Sequence, residues 1–158
     1  MSIPDINQLL HADRIQIGMN VSTKKEAINA LIDSLDGHPS IDELSEVRNA
    51  IFKRENTMST GVGKGLGLPH AKTSAVSETV AAFATATPPV PFDAIDDQPV
   101  ELILLLVGPE NDASLHIKVL GRISRLVNRG SIRKALTAAS TPEAVMNTLQ
   151  DAEAALRR

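Results

Sequence analysis

The order of apolar and polar residues along the chain predicts several β-strands. Polar and apolar residues alternate over 14–19, which is typical of a short strand. The segment 78–86 predicts a second strand. The unbroken apolar run over 100–108 predicts a central strand with both faces buried. A short strand is also expected over 65–71, where Pro69 ends it because proline cannot donate a hydrogen bond to a sheet.

Two helices are predicted between the first strand and the glycine-rich part of the chain. Thr23 and Glu26 have the spacing of a capping box, and an apolar stripe with helical period follows them. Ser40 and Glu43 repeat the same spacing before a second apolar face. This second helix is expected to end near residues 54–56.

Three further helices are predicted after the central strand. Either Asp112 or Ser114 is placed to cap the first of them, and Gly130 is expected to end it. Ser131 then caps a short helix. Thr141 caps the last one, which has proline at its first helical position. Helices that flank and separate three or four strands predict an α/β layered fold.

Composition narrows the classes of function. The chain has 158 residues with 42% hydrophobic content, which suits one domain over 1–158. It has no cysteine, which excludes disulfides, thiolate metal sites and a cysteine nucleophile. Three aromatic residues and a net charge of −3 argue against a nucleic-acid partner. We expect a cytoplasmic location, because neither a signal peptide nor a membrane-spanning run is recognisable.

The stretch from Gly61, GVGKGLGLPH, invites comparison with nucleotide-binding loops. A Walker loop ending at its Gly-Lys pair would need glycine at 58 and serine or threonine at 65, where the chain has Met58 and Gly65. The Gly-x-Gly-x-x-Gly fingerprint also fails, because Leu66 and Leu68 stand where its third glycine belongs. A nucleotide-binding loop is therefore disfavoured.

The other interpretation places the chemistry on His70. An imidazole titrates near neutrality, so it can act as a nucleophile at cytoplasmic pH. Pro69 fixes its own φ and restricts Leu68, which makes the backbone before His70 stiff. The same pattern also fits a surface histidine with no chemical role after a proline that ends a strand. Spacing alone leaves both interpretations open.

Two other side chains are candidates for the same site. His116 lies in the first turn of the helix after the central strand, half-buried, at the end of the sheet where α/β folds build sites. Arg54 closes a helix just before the glycine-rich stretch, and its guanidinium suits a phosphoryl group. A hydrogen-bonded core histidine and a solvated helix-end cation are the alternatives, and they also stay open.

The stretch RENTMSTGVGKGLGLPHAKT resembles a family signature. It is similar to the enzyme IIA domains of the bacterial phosphoenolpyruvate-dependent phosphotransferase system, in the fructose, mannitol and nitrogen-regulatory family. That signature joins an Arg-Glu pair, a Thr-Gly-Ile-Gly-like segment and an apolar-Pro-His sequence. These stand here at 54–55, 60–63 and 68–70. The resemblance continues through 92–110 and the helix from His116, and it covers nearly the whole chain.

The resemblance implies a mixed β-sheet flanked by helices on both sides, and a phosphocarrier function. His70 would accept a phosphoryl group from the phosphocarrier HPr on Nε2 and pass it to an enzyme IIB. His116 would hydrogen-bond that group, and Arg54 would neutralise its charge. Ser59 and Thr60 would donate hydroxyl groups near the ring. No metal or other cofactor is required.

Two roles are compatible with this resemblance. In the first, the chain serves sugar uptake, and its enzyme IIB belongs to a membrane permease, without the chain itself entering the membrane. In the second, it is a nitrogen-type regulatory protein whose phosphorylation state controls binding to target proteins. In either role the missing side chains of a set of glycines would let a partner's backbone approach. These are Gly61, Gly63, Gly65 and Gly67.

Overall fold

The computed structural model describes residues 3–156. Within this range the chain forms six α-helices, one short 3-10 helix (Ala12–Arg14) and six strands. In chain order the α-helices and strands are α1 (Ile6–Leu9), β1 (Ile15–Met19), α2 (Lys24–Asp33), α3 (Leu44–Thr57), β2 (Gly61–Gly63), β3 (Leu66–Gly67), β4 (His70–Thr73), β5 (Val80–Val90), β6 (Val100–Pro109), α4 (Ala113–Val127), α5 (Gly130–Ala138) and α6 (Pro142–Leu156). None of these helices is long and apolar enough to cross a membrane.

The six strands form one mixed sheet around β6. Its strand order is β1-β5-β6-β3-β2, and β4 continues along the same edge of β6 as β3. β5 is antiparallel to β6, whereas β3 and β4 are parallel to it. β1 is parallel to β5, and β2 is antiparallel to β3. The prediction that 100–108 is a central strand is therefore confirmed.

Helices cover both faces of this sheet, as predicted. Alternate residues of β6 point to opposite faces. Ile103, Leu105 and Val107 pack in one core with α2 and α3. Leu102, Leu104 and Leu106 pack in a second core with the other helices. Burial of these apolar side chains between three layers is the main stabilisation that the fold offers.

Three of the predicted helix caps are confirmed. The side chain of Thr23 accepts a hydrogen bond from the backbone N–H of Glu26 at 3.1 Å. Asp112 is the cap of α4, and it accepts from the backbone N–H three residues later at 3.3 Å. Thr141 does the same before α6 at 3.1 Å. Each cap satisfies a donor that the first helical turn leaves unpaired.

The predicted capping box of α3 is wrong. This helix begins after Glu43, and no side chain caps it. Ser40 lies too early because the chain there runs beside a later segment. Its carbonyl accepts from the N–H of Ser77 at 2.9 Å, and Ile41 forms an isolated antiparallel bridge with Val76.

The predicted roles of Gly130 and Ser131 are also wrong. α4 already ends at Val127, and Gly130 is the first residue of α5, with Ser131 inside its first turn. A side chain closes α4 instead of a glycine. Arg133 donates to the carbonyl oxygens of Val127 and Asn128 at 3.3 and 2.5 Å.

The strand prediction around Pro69 holds only in part. Pairing with β6 stops at Pro69 but resumes directly after it, because β4 begins at His70. The carbonyl of Pro69 accepts from the N–H of Leu106 at 3.0 Å, so the break spans little more than one residue. The loop between β5 and β6 begins only after Val90, which still pairs with Val100 of β6.

Candidate active site

An open cleft of about 770 Å³ lies between α3, β4 and the first turns of α4. His70, His116 and Arg54 line it, so the structure brings together the three side chains expected to be catalytic. Charged and apolar neighbours complete its walls. Among them are Lys53, Lys72, Glu110, Ile117 and Leu120.

His70 is held by its own backbone. It is the first residue of β4 and half-buried, and its Nδ1 lies 2.7 Å from the carbonyl oxygen of Leu68. A carbonyl oxygen only accepts hydrogen bonds, so Nδ1 must carry the ring proton. In the neutral ring the lone pair is then on Nε2. The stiff Leu68–Pro69 segment thus fixes both the orientation of the ring and its nucleophilic nitrogen.

The surroundings of His70 favour the neutral ring. Burial lowers the pKa of His70 below its ordinary value, and the nearby charge of Arg54 lowers it further, although the bond to Leu68 opposes both effects. At neutral pH the Nε2 lone pair is therefore available. Histidine in this state is a nucleophile without the help of a separate base.

His116 lies directly beside this ring. Its ring centroid is 5.9 Å from that of His70, and the two rings are tilted by 39°. His116 is 4% exposed, which corrects the expectation of a half-buried side chain. Burial lowers the pKa of His116 to about 4, and the charges of His70 and Lys72 contribute in the same direction. A ring that is neutral at pH 7 carries one N–H, which it can donate to an anion.

Arg54 brings a permanent positive charge to the cleft. It lies in the last turn of α3, and its Nη1 donates to the carbonyl oxygen of Met58 at 3.1 Å. Within residues 3–156, no carboxylate forms an ion pair with this guanidinium. Its remaining N–H groups therefore suit an anionic group bound between the two histidines.

The hydroxyl groups of Ser59 and Thr60 do not reach this cleft. Ser59 donates to the carbonyl oxygen of Phe92 at 2.7 Å, and Thr60 is 3% exposed and donates to the carboxylate of Glu55. A hydroxyl has one hydrogen to donate, and both are engaged within the fold. The expected donation from these two residues to a group on the ring is corrected accordingly.

The glycines before His70 serve the packing of the chain itself. Gly61, Gly63 and Gly67 are buried. A side-chain carbon at Gly61 would lie 2.8 Å from Ala94, and one at Gly67 would lie 3.0 Å from the ring of Phe92. The close approach that glycine permits is therefore made by the loop between β5 and β6. This corrects the expectation that these positions form a surface for a partner.

The remaining glycine forms a tight turn. Lys64 and Gly65 join β2 to β3 as a two-residue hairpin loop, and their φ angles are +59° and +77°. Such loops require positive φ at both positions, which glycine adopts without strain. The N–H of Lys64 donates to the carboxylate of Asp96 at 2.9 Å. The stretch that resembled a phosphate loop is a hairpin.

Two residues of the site were missed in the sequence. Glu55 is 5% exposed and accepts from the N–H of Thr60 at 2.8 Å and from Lys24 at 3.2 Å, which fixes the chain next to Arg54. The sequence signal that could have identified Glu55 was its position directly after Arg54 in the Arg-Glu pair of the family signature. Lys72 follows His70 by two residues in β4, so strand alternation would have placed both on one face.

The charges that line the cleft favour an anion. Three cationic side chains, Lys53, Arg54 and Lys72, line it together with the two histidines, against two carboxylates, Glu46 and Glu110. Among residues 3–156, no group of three histidine or carboxylate side chains is placed to hold a metal ion. A histidine with a free ring nitrogen beside cationic donors suits phosphoryl transfer, because such transfer depends on positioning and charge stabilisation.

The comparison with known families agrees with this chemistry. The sequence profile of the family described as "Phosphoenolpyruvate-dependent sugar phosphotransferase system, EIIA 2" matches residues 8–152. The chain belongs to this family. Its members are phosphotransferase components, and they include both sugar-specific and nitrogen-regulatory proteins.

Individual relatives represent both groups. The chain is 32% identical over 151 residues to the fructose-specific EIIA component of Haloferax volcanii, covering 96% of this chain and 98% of that protein. Nitrogen regulatory protein IIA-Ntr from Neisseria meningitidis has a similar structure, with a TM-score of 0.85, 33% identity and coverage of 91% and 98%. The complex of IIAMtl with phosphorylated IIBMtl from Escherichia coli shares the fold, with a TM-score of 0.76, 23% identity and coverage of 90% and 97%.

Proposed function

We propose that the protein is a phosphocarrier that accepts a phosphoryl group from phospho-HPr on Nε2 of His70 and transfers it to an enzyme IIB. The observation that carries the proposal is the 2.7 Å contact between Nδ1 of His70 and the carbonyl oxygen of Leu68. This contact leaves the lone pair of the neutral ring on Nε2. The neighbouring cation and second histidine fit the charge that a phosphoryl group brings.

The two half-reactions use the same nitrogen. In the first, the Nε2 lone pair of His70 attacks the phosphorus, an N–P bond forms, and the bond from phosphorus to the HPr histidine breaks. In the second, a nucleophile of enzyme IIB attacks the same phosphorus, and the bond to Nε2 returns its electron pair to the ring. His116 and Arg54 donate to the phosphoryl oxygens throughout, which stabilises the charge that is spread over these oxygens in the transition state.

Labelling with phosphoenolpyruvate tests the proposal. The chain is incubated with labelled phosphoenolpyruvate, enzyme I and HPr, and we expect an acid-labile label on the wild type. His70→Ala should take up no label while it stays folded. His11→Ala is the matched control, because His11 is exposed and does not line the cleft, and this variant should be labelled normally. A labelled His70→Ala variant contradicts the assignment.

The role served by this carrier has two candidates. In sugar uptake, the chain passes its phosphoryl group to the IIB of a fructose- or mannitol-type permease. As a nitrogen-type regulator, it instead binds target proteins according to the phosphorylation state of His70. The fructose-specific relative and IIA-Ntr support one role each, at nearly equal identity. In either role a cytoplasmic location stays a prediction.

Transfer to an acceptor distinguishes the two roles. A chain labelled on His70 is mixed with the IIB encoded nearest to its gene, and the label is followed to the IIB and to sugar. Rapid transfer to both supports sugar uptake. A stable label, together with a target protein that binds only one phosphorylation state, supports the regulatory role. A permease or a nitrogen sigma-factor gene beside the locus gives the same distinction.

Both partners should dock on the surface around the cleft. Contacts that form in turn with a donor and an acceptor must be transient, so we expect an interface below about 1,200 Å². Chemical-shift mapping with HPr and with IIB should perturb overlapping amides in β4 and the first turns of α4. Two separate footprints, or shifts spread through both cores on phosphorylation, would contradict a shared surface and favour a regulatory switch.

A further inference from the structure

Two buried polar atoms beside the cleft have no hydrogen-bond partner among residues 3–156. They are Nδ1 of His116 and Oγ1 of Thr79. His116 is 4% exposed and Thr79 is 9% exposed, so bulk water does not readily serve either atom. A buried donor or acceptor without a partner destabilises the fold, and such atoms are rare in native proteins. Two of them next to a reactive histidine call for a functional explanation.

The two atoms converge on one point of the sheet. Thr79 directly precedes β5, where Val80 pairs with Val107, so it lies across from Gly108 of β6. A side-chain carbon at Gly108 would lie 2.9 Å from Nδ1 of His116 and 3.3 Å from Oγ1 of Thr79. Both polar atoms therefore border the space that the missing side chain leaves. The hydroxyl changes its place there by rotation about the Cα–Cβ bond of Thr79.

Which nitrogen of His116 carries the proton matters for phosphoryl transfer. The neutral ring has one N–H and one lone pair. Since Nδ1 is buried behind the ring, Nε2 is the nitrogen left for the cleft that His116 lines with His70. A lone pair on Nε2 would repel phosphoryl oxygens, whereas an N–H there donates to them. The useful tautomer therefore leaves Nδ1 as an acceptor that needs a donor.

We propose that Thr79 is a positioning residue whose hydroxyl donates to Nδ1 of His116 and so holds the ring proton on Nε2, facing the phosphoryl group. The proposal rests on the proposed transfer at His70. It adds a residue that determines which nitrogen of His116 carries the proton. Thr79 does not line the cleft in which the phosphoryl group would bind. Its effect reaches the reaction only through the tautomer of His116.

The tautomer is measured directly by long-range ¹H–¹⁵N NMR correlations of the imidazole rings in the full chain. Wild type should show His116 protonated at Nε2. Thr79→Val keeps the shape of the side chain but removes the hydroxyl, and it should shift His116 toward protonation at Nδ1. Thr79→Ser keeps the hydroxyl and should restore the wild-type tautomer. These spectra need no phosphorylation, so they remain decisive if His70 proves not to be a phosphoryl acceptor.

Transfer rates give the second measurement. Phosphorylation of Thr79→Val by phospho-HPr should be up to about tenfold slower, which is the worth of one ordinary hydrogen bond. Thr79→Ser should recover most of the loss. In a His116→Ala background, Thr79→Val should cause no further loss, because both changes act on one group.

Three results would overturn the inference. One is protonation of His116 at Nδ1 in the wild type, which can be read even if Thr79→Val does not fold. Another is an unchanged tautomer in a folded Thr79→Val variant. The third is a loss of rate in Thr79→Val that persists without His116, since it would show that the hydroxyl acts on something else.

Discussion

Gly108 and His116 lie so close together that position 108 has no room for a side chain. A carbon at Gly108 would be 2.9 Å from Nδ1 of His116, a distance that real side chains do not show. The ring of His116, in the first turn of α4, therefore restricts position 108 of the central strand to glycine. The ring of His116 is also next to that of His70, with 5.9 Å between the ring centroids, so a shift of His116 would change the cleft that both rings line.

Gly108→Ala should lower both stability and transfer. Overpacking of this kind costs about 1–3 kcal/mol of unfolding free energy, and the displaced ring of His116 would donate poorly to a phosphoryl group. Gly121→Ala is the matched control. A side-chain carbon there meets only the end of Arg125, at 3.9 Å, and alanine in a helix gains up to about 1 kcal/mol over glycine. Urea unfolding measures the stability of both variants. If Gly108→Ala were as stable as Gly121→Ala, the close contact at position 108 would be contradicted.

His116→Gln should remove part of the pH dependence of stability. The pKa of His116 is lowered by burial from 6.5 to about 4. Above pH 6.5 the ring is neutral in both the folded and unfolded states and contributes nothing. Between pH 6.5 and about 4 the unfolded chain binds a proton that the folded ring refuses. The unfolding free energy of the wild type therefore falls as pH falls, by up to about 3 kcal/mol.

The comparison with the variant isolates this contribution. Other groups titrate alike in wild type and in His116→Gln, so they cancel in the difference between the two unfolding free energies. That difference should change steadily from pH 6.5 to about pH 4 and level off below it. Unfolding curves in urea at several pH values give the result. A constant difference would mean that the folded ring binds protons normally.

Arg54→Ala should slow phosphorylation by about 10²–10³-fold and raise the pKa of His70. The rate falls because a donor to the transition state is lost. The pKa rises because the charge of Arg54 contributes to lowering it. NMR titration of the His70 ring measures the second effect without any transfer reaction.

The control for Arg54 is Arg133→Ala. Arg133 also donates to carbonyl oxygens at the end of a helix, but it is not part of the cleft. The Arg133→Ala variant should be less stable than the wild type, with an unchanged phosphorylation rate and an unchanged pKa of His70. If the two variants behaved alike, Arg54 would be only a helix-end cation.

Ile117→Asp should weaken docking of phospho-HPr. Ile117 is 67% exposed at the rim of the cleft, directly after His116, and a large exposed apolar side chain beside a reactive group is typical of a contact surface. We expect KM for phospho-HPr to rise about fivefold or more with little change in kcat. Ile95→Asp is the control, since Ile95 is 85% exposed but does not line the cleft. Equal effects of both changes would contradict a docking surface at this rim.

Local patterns in the sequence predicted much of this fold. Thr23 and Asp112 were recognisable as caps because a cap depends on residues three positions away. The apolar run of β6 predicted a buried strand for the same reason, since its own composition determines its environment. Ser40 failed because its carbonyl bonds to Ser77, and no pattern near Ser40 reports that contact.

The site, like the fold, was predicted where local signals were enough and mispredicted where distant contacts decide. His70, His116 and Arg54 were found through residue type and through the resemblance to a family. The glycines were misread because Gly61 and Gly67 pack against Ala94 and Phe92, some 30 residues later in the sequence. Their freedom to approach another backbone was correctly inferred, but the backbone is that of the same chain.

The tether of His70 to Leu68 has a further consequence. The carbonyl that holds the ring is only two residues away in the same segment, and this segment is paired with β6 on both sides of Pro69. When a docking protein pushes on this edge of the sheet, the ring and its anchor are carried along together. Small deformations of the sheet therefore leave the orientation of Nε2 relative to its anchor unchanged. Under the proposed function, the chain would meet a donor and an acceptor of different shape without re-aligning its reactive atom.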